Sequence, residues 1–331
     1  IPEIMMTDGP HGLRKENSRD NGIGSSVPAT CFPTAAGLAA TWNRELLFEI
    51  GEALGEECLQ EGVSILLGPG ANIKRSPLCG RNFEYYSEDP YLSGEMAAAF
   101  IGGGQSRGIG TSLKHYAANN QETHRMTINA VIDERALHEI YLAGFEQAVK
   151  LTRPWTVMTA YNKVNGSFAS ESKMLLASIL RQKWGFTGVV MSDWGAVNER
   201  IAALQAGLDL EMPSSGGSND RLLVKAVRSG ALDMDVLDAS VKRLLTLILT
   251  AKANRRPGFV YDKQAHHRLA QKAAAQSMVL LKNERNLLPL SSNSKIALIG
   301  ALAQEPRYQG AGSSLVNPLQ LENALDALKR Q

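Results

Sequence analysis

Between Glu3 and Ala253 short apolar runs alternate with longer amphipathic stretches, and this alternation restricts the fold more than anything else in the chain. Glu3–Met6, Val63–Leu67, Thr111–Lys114, Trp155–Thr159, Gly188–Met191 and Leu208–Glu211 read as strands, with Thr34–Ala40 a weaker one. Arg44–Gln60, Leu92–Gln105, Asp133–Lys150, Ser172–Trp184, Ala196–Ala206, Asp220–Arg228 and Met234–Ala253 read as helices. In the first of these Leu46, Leu47, Ile50 and Leu54 fall on one face. Strand and helix in turn imply an α/β fold with a parallel sheet, because parallel neighbours need a long crossover between them. This set of strand candidates fits a (β/α)8 TIM-like barrel better than a doubly wound sheet. The polar and Gly-rich motifs follow strand C-terminal ends, the face on which such barrels build their sites.

The texture changes after Asn254-Arg255-Arg256-Pro257-Gly258. Lys263–Leu281 reads as one more helix, Leu287-Leu288-Pro289-Leu290 breaks it, and Lys295–Gly300 reads as a new strand. The expected division is a barrel over 1–253, a linker over 254–290, and the beginning of an α/β sandwich domain over 291–331. The last segment is too short for a core of its own. The chain opens on Ile-Pro without an initiator Met, so the expectation is a fragment of a larger protein lacking the start of its barrel.

Composition removes several classes of function. The net charge is +2 and neither sign forms a block, so neither a nucleic-acid backbone nor an anionic membrane is an expected partner. No stretch reaches the roughly 18 apolar residues of a spanning helix. Cys31, Cys58 and Cys79 are too few for a disulfide framework, and a reducing compartment is permitted. Localisation stays unknown, with the cytoplasm slightly favoured.

Asp193 is the strongest candidate for chemistry. It follows the buried run Val189-Val190-Met191 and is flanked by Ser192 and Trp194. A carboxylate aimed by a rigid strand end beside an aromatic face suits the nucleophile of a glycosidase. The competing reading makes it the cap of a helix starting near Ala196. Asp8, in Thr7-Asp8-Gly9-Pro10, can accept two sugar hydroxyls or simply belong to a turn, and Arg14 is a donor in the same loop. Lys114 and His115 end a strand, but adjacent strand residues face opposite sides, so one of them could face the barrel wall. Lys114 could also form a Schiff base with a carbonyl substrate. Arg81 and Arg125 lie in polar loops, and Tyr161 follows a strand.

Other motifs carry nothing. Gly102-Gly103-Gly104 follows a helix and completes no dinucleotide fingerprint, and Gly310-Ala311-Gly312-Ser313-Ser314 lacks the Lys of a phosphate loop. His266 and His267 point apart on a helix, and His124 and His138 have no partner at metal-ligand spacing. There is no Gly-x-Ser-x-Gly elbow.

Taken together, Thr7–Arg14, Gly37–Asn43, Leu67–Ile73, Gly80–Glu84, Ser87–Pro90, Lys114–Tyr116 and Val190–Trp194 resemble the β-glucosidase branch of glycoside hydrolase family 3. Val279–Asn283 and Leu287–Leu290 resemble that family's passage from barrel to second domain. The resemblance implies retaining hydrolysis of terminal non-reducing β-D-glucosyl residues, with Asp193 forming a covalent glycosyl ester. It places Asp8, Arg14, Arg81, Lys114, His115, Arg125 and Tyr161 around the terminal sugar, with Trp194 as an apolar wall. It implies no metal and no organic cofactor, a β-glucoside or β-linked gluco-oligosaccharide as partner, and leaves homo-oligomer formation open. The family's glucosidases take their acid/base Glu from the second domain, so that residue is expected beyond 331. Glu84, Glu122, Glu171 and Glu211 match no such position. Relatives acting on N-acetylglucosamine carry an Asp-x-His acid/base in the barrel, and no Asp stands between Lys114 and Asp133. A xylosidase or arabinosidase of the same family, a Schiff-base aldolase on Lys114, and a sugar-binding protein without catalysis remain the alternatives.

Overall fold

The computed structural model describes residues 1–17, 26–291 and 293–330. Its centre is a parallel sheet in the order β1 (Met6–Asp8), β2 (Ile65–Leu67), β3 (Gly110–Tyr116), β4 (Thr156–Thr159) and β5 (Val189–Ser192). Each strand pairs with its neighbour in sequence, as the crossovers predict. Leu210 continues the sheet with a single parallel bridge to Met191. All seven residues of β3 are buried, which explains its unbroken run: a strand covered on both faces does not alternate.

The architecture is that of a TIM-like α/β barrel, with five strands in the sheet among the described residues rather than eight. Two of the strand assignments give way. Ala35–Ala40 is a helix, α1, because Ala35, Leu38 and Ala39 bury one face at helical spacing and alanine favours the helix. Of Leu208–Glu211 only Leu210 pairs. The barrel interior holds Ile65, Leu67, Met158, Val189 and Met191, and Leu244 and Leu247 of a late helix pack against them.

The helices around the sheet have identifiable stops. α2 (Arg44–Glu61) starts at Asn43, whose side chain accepts the Leu46 N–H at 3.0 Å, and ends at Gly62 in the left-handed region. α3 (Pro90–Ser106) starts on an Asp89 cap with proline in its first turn. α2 and α3 touch backbone to backbone, since a Cβ at Gly103 would strike the Phe48 carbonyl oxygen and one at Gly51 that of Phe100. Further helices are α4 (Ala143–Thr152), α5 (Arg200–Ala206), α6 (Ser218–Arg228), α7 (Met234–Ala253) and α8 (Lys263–Gln276). Leu137–Tyr141 and Met174–Lys183 are wound as π-helix. A small sheet of Asn129–Ala130, Lys163–Val164 and Ser167–Phe168 has no counterpart in the periodicity, its strands being two residues each.

Around and beyond Gln276 two element assignments give way. The helix that begins at Lys263 stops there rather than at Leu281, and Lys295–Gly300 forms no strand. Ile296, Leu298 and Ile299 are 50%, 41% and 91% exposed, with no strand beside them to complete a ladder. One part of this stretch is nevertheless docked. Asn317–Pro318 pairs in parallel with Pro28–Ala29, and Val316 is buried against Gly12. The Gln309 amide both accepts the Val316 N–H and donates to its carbonyl, each at 2.9 Å. No helix among the described residues is long and apolar enough to cross a membrane.

Candidate active site

The C-terminal ends of β1, β3 and β5, with the turns that follow β2 and β4, bring together most of the residues singled out in the sequence. Asp193 directly follows β5. Its Oδ1 accepts the Tyr161 hydroxyl at 2.9 Å and the Trp194 backbone N–H at 2.7 Å. Its Oδ2 is buried and has no hydrogen-bond donor among the described residues. Arg81 Nη1 stands 3.9 Å from Oδ2 and His115 Nε2 3.5 Å from it. The helix-cap reading of Asp193 does not hold: α5 begins at Arg200, and the Asn198 and Glu199 N–H groups before it donate to Glu171.

Arg81 is fixed by two further contacts. Its Nε donates to Glu84 Oε1 at 2.6 Å, and its Nη2 lies 2.9 Å from His115 Nε2. Glu84 is almost fully buried, and although burial opposes its charge, Arg81 and Lys114 hold its carboxyl below the usual range. Burial, with the charges of Arg81, Lys114 and Arg125, pushes the His115 imidazole well below its ordinary value. The imidazole is therefore neutral, and its approach to Asp193 is not an ion pair. Burial first, and then the Asp193 carboxylate, raises the Tyr161 phenol, so it keeps its proton and donates.

Lys114 and His115 both reach this cluster, as the family resemblance implies, although strand alternation alone would allow one of them to face the wall. The register of β3 against β4 shifts between Leu113 and Tyr116, which interrupts the alternation. Lys114 Nζ pairs with Asp8 Oδ1 at 2.7 Å. The Asp8 side chain is thus committed across the barrel rather than to its own turn, while its carbonyl accepts the Arg14 N–H. Arg14 is buried, with Nη1 3.7 Å from Glu16. Arg125 lies at one remove, its guanidinium 4.4 Å from the centre of the Tyr161 ring and paired to Glu122 at 2.8 Å. Trp194 is 45% exposed, leaving its ring open at the mouth.

Several residues that complete the site were given no role in it from the sequence. Asn72 grips the His115 backbone from both sides, accepting its N–H and donating to its carbonyl, each at 2.9 Å. Tyr85 places its hydroxyl 3.1 Å from His115 Nδ1, and Asn119 stands 3.2 Å from the same hydroxyl. Asn72 and Glu84 lie inside motifs that carry the family resemblance, Leu67–Ile73 and Gly80–Glu84, without an assigned role. No group of three His, Cys, Asp or Glu among the described residues is arranged to hold a metal.

Two domains of one family match the chain: the glycosyl hydrolase family 3 N terminal domain over residues 16–247, and the glycosyl hydrolase family 3 C-terminal domain over 278–331. Thermostable beta-glucosidase B of Acetivibrio thermocellus is 59% identical over 332 residues, which cover 100% of this chain and 44% of that protein. The exo-alpha-(1->6)-L-arabinopyranosidase of Bifidobacterium longum is 49% identical, over 99% of this chain and 45% of that protein. Among solved structures, a beta-glucosidase of Bifidobacterium adolescentis superposes with a TM-score of 0.94 at 50% identity, covering 100% of this chain and 47% of that one. Beta-glucosidase 3B of Thermotoga neapolitana in complex with glucose gives 0.94 at 46%, covering 100% of this chain and 47% of that one. The chain spans about half the length of the curated relatives it matches.

Proposed function

The chain belongs to glycosyl hydrolase family 3, and from that premise we propose that it carries the nucleophile and most of the sugar pocket of a retaining exo-β-glucosidase. The observation that carries this reading is the asymmetry of Asp193. Tyr161 and the Trp194 N–H hold Oδ1, whereas Oδ2 is buried beside Arg81 and free of donors among the described residues. A nucleophilic carboxylate requires that arrangement: one oxygen fixed for aim, the other with a lone pair available to the anomeric carbon. Oδ2 forms the ester as the C–O bond to the leaving group breaks, and water then hydrolyses it.

The sugar is gripped by residues of complementary chemistry. Asp8 accepts from hydroxyls, Lys114 donates, and the Arg125 guanidinium stacked on Tyr161 closes the side of the pocket. Trp194 offers its open face to the ring or to the leaving group. The other barrel carboxylates are each engaged through at least one oxygen: Glu84 with Arg81, Glu122 with Arg125, Glu171 with two backbone N–H groups, and Glu211 with Asn219 at 2.6 Å, while Glu84 Oε2 and Glu122 Oε1, like Asp193 Oδ2, have no partner among the described residues. Their engagement supports placing the general acid in the family's second domain. An aldolase reading loses support because the Lys114 ammonium is paired with Asp8.

Intact mass after incubation with a 2-deoxy-2-fluoro-glucoside bearing an activated leaving group, followed by peptide mapping, tests the proposal. One fluoroglucosyl adduct on Asp193 is expected, because such a leaving group departs without acid assistance. No adduct on the folded protein would leave sugar binding without cleavage. The arabinopyranosidase relative supports a second reading of the sugar, and aryl glucoside against aryl α-L-arabinopyranoside turnover separates the two.

A further inference from the structure

The least explained part of the site lies behind it, where Tyr85 and Asn119 are buried and the Tyr85 hydroxyl stands between His115 and Asn119. The polarity of these contacts can be read in order. A guanidinium only donates, so Arg81 Nη2 at 2.9 Å requires His115 Nε2 to be the unprotonated nitrogen. The single imidazole proton then sits on Nδ1 and donates to the Tyr85 oxygen at 3.1 Å. The Tyr85 proton in turn needs an acceptor. Turning the Asn119 amide places its Oδ1, which otherwise has no partner among the described residues, against that hydroxyl. With the amide so turned, Arg81 donates to His115, His115 to Tyr85 and Tyr85 to Asn119, one directed chain of hydrogen bonds.

We propose that Tyr85, backed by Asn119, is a positioning residue that holds His115 in the Nδ1–H tautomer, and so keeps Asp193 Oδ2 free of a donor while fixing the Arg81 guanidinium beside it. In the opposite tautomer an N–H on Nε2 would stand 3.5 Å from Oδ2 and 2.9 Å from Arg81 Nη2. It would spend the attacking lone pair in a hydrogen bond and set two donors against each other. The backbone clamp of Asn72 holds the ring in place but does not select the tautomer. The charged and titratable groups facing His115 are Arg81, Arg125, Lys114, Tyr85 and Asp193, and the three cations all disfavour a second proton on it. This inference rests on the nucleophile reading of Asp193 only for its catalytic consequence.

Neutron diffraction from the perdeuterated protein tests the tautomer directly. A deuteron on His115 Nδ1 and none on Nε2 is expected; a deuteron on Nε2 overturns the proposal. Tyr85→Phe removes the acceptor for Nδ1–H. The rate constant of inactivation by the activated 2-fluoro-glucoside should fall by about ten-fold, with the inhibitor's dissociation constant within about two-fold of wild type. An unchanged inactivation rate constant in the folded variant also overturns the proposal. The tautomer and the glucosidase reading fail separately. A deuteron on Nδ1 in a protein that forms no adduct sinks only the latter, and one on Nε2 in a protein that does form it sinks only the former.

Discussion

The barrel body and the stretch from Met278 to Arg330 hold their apolar side chains in different ways. In β5, Val189, Val190 and Met191 lie between β4 and Leu210 and are at most 1% exposed. Ile296, Leu298 and Ile299 form an equally apolar run, yet each is at least 41% exposed. What differs is the neighbour. A strand is stable when its ladder and both faces are covered, and residues 293–300 lack that cover. The later stretch is fastened to the barrel by a small patch instead, where Val316 is buried and Gln309 reaches His11 and the Val316 backbone. Tight packing and the candidate chemistry are thus both concentrated in the barrel.

Substitutions should reproduce this difference, and the largest effect belongs to the barrel. Asp193→Ala is expected to lower aryl-glucoside turnover on the order of 10⁴-fold, the scale of losing a nucleophile. Steady-state kinetics check it, and turnover within ten-fold of wild type would move the chemistry elsewhere. Gly103→Ala drives a methyl into the Phe48 carbonyl at the α2–α3 contact and should cost about 3 kcal/mol in denaturant unfolding. Ile299→Ser, measured alongside it, should stay within about 0.5 kcal/mol. A loss at Ile299 matching that at Gly103 would break the comparison, because it would mean Ile299 is covered in solution. Val316→Ala probes the patch between the two regions and should cost about 2 kcal/mol, since its side chain is buried against Gly12.

Legibility in the sequence follows the same division. Four of the five strands and the place of Asp193 at a strand end could be read because a buried parallel strand is a compact apolar signal, whereas the first strand, expected over Glu3–Met6, lies at Met6–Asp8 and takes in the supposed turn residues Thr7 and Asp8. Alternation alone could not place both Lys114 and His115, which only the family resemblance put together, because it assumes a regular strand and β3 is irregular between Leu113 and Tyr116. Glu84, Tyr85, Asn72 and Asn119 escaped for another reason. They are buried polar groups that act on other side chains, and no periodicity marks a residue whose partner is distant in sequence. The strand expected at Lys295–Gly300 errs in the opposite direction: the pattern reports apolar residues, not whether anything lies beside them. Where the domain division falls energetically is likewise not a matter of composition, since α8, inside the expected linker, is packed on α2.

That packing gives the smallest and most specific test. His266 of α8 reaches two carboxylates of α2, Glu57 at 2.9 Å through Nδ1 and Glu56 at 3.1 Å through Nε2, and stacks on Tyr261. Burial lowers its basicity, but hydrogen bonds and charge from Glu57 and then Glu56 outweigh burial and raise it above the ordinary histidine value. Arg107, just after α3, shares Glu56 and Lys15 pairs with Glu61, so α2 stays partly neutralised when His266 loses its proton. A raised folded-state value means the stabilisation is fully present below about pH 6.5, the unfolded histidine value, and is lost as pH rises through the folded one. The melting temperature of His266→Gln should therefore lie about 2 °C below wild type at pH 6 and converge on it at higher pH. If the two melting curves stay parallel from pH 6 to 9, the contact holds α8 to the barrel by shape and neutral hydrogen bonds rather than by charge.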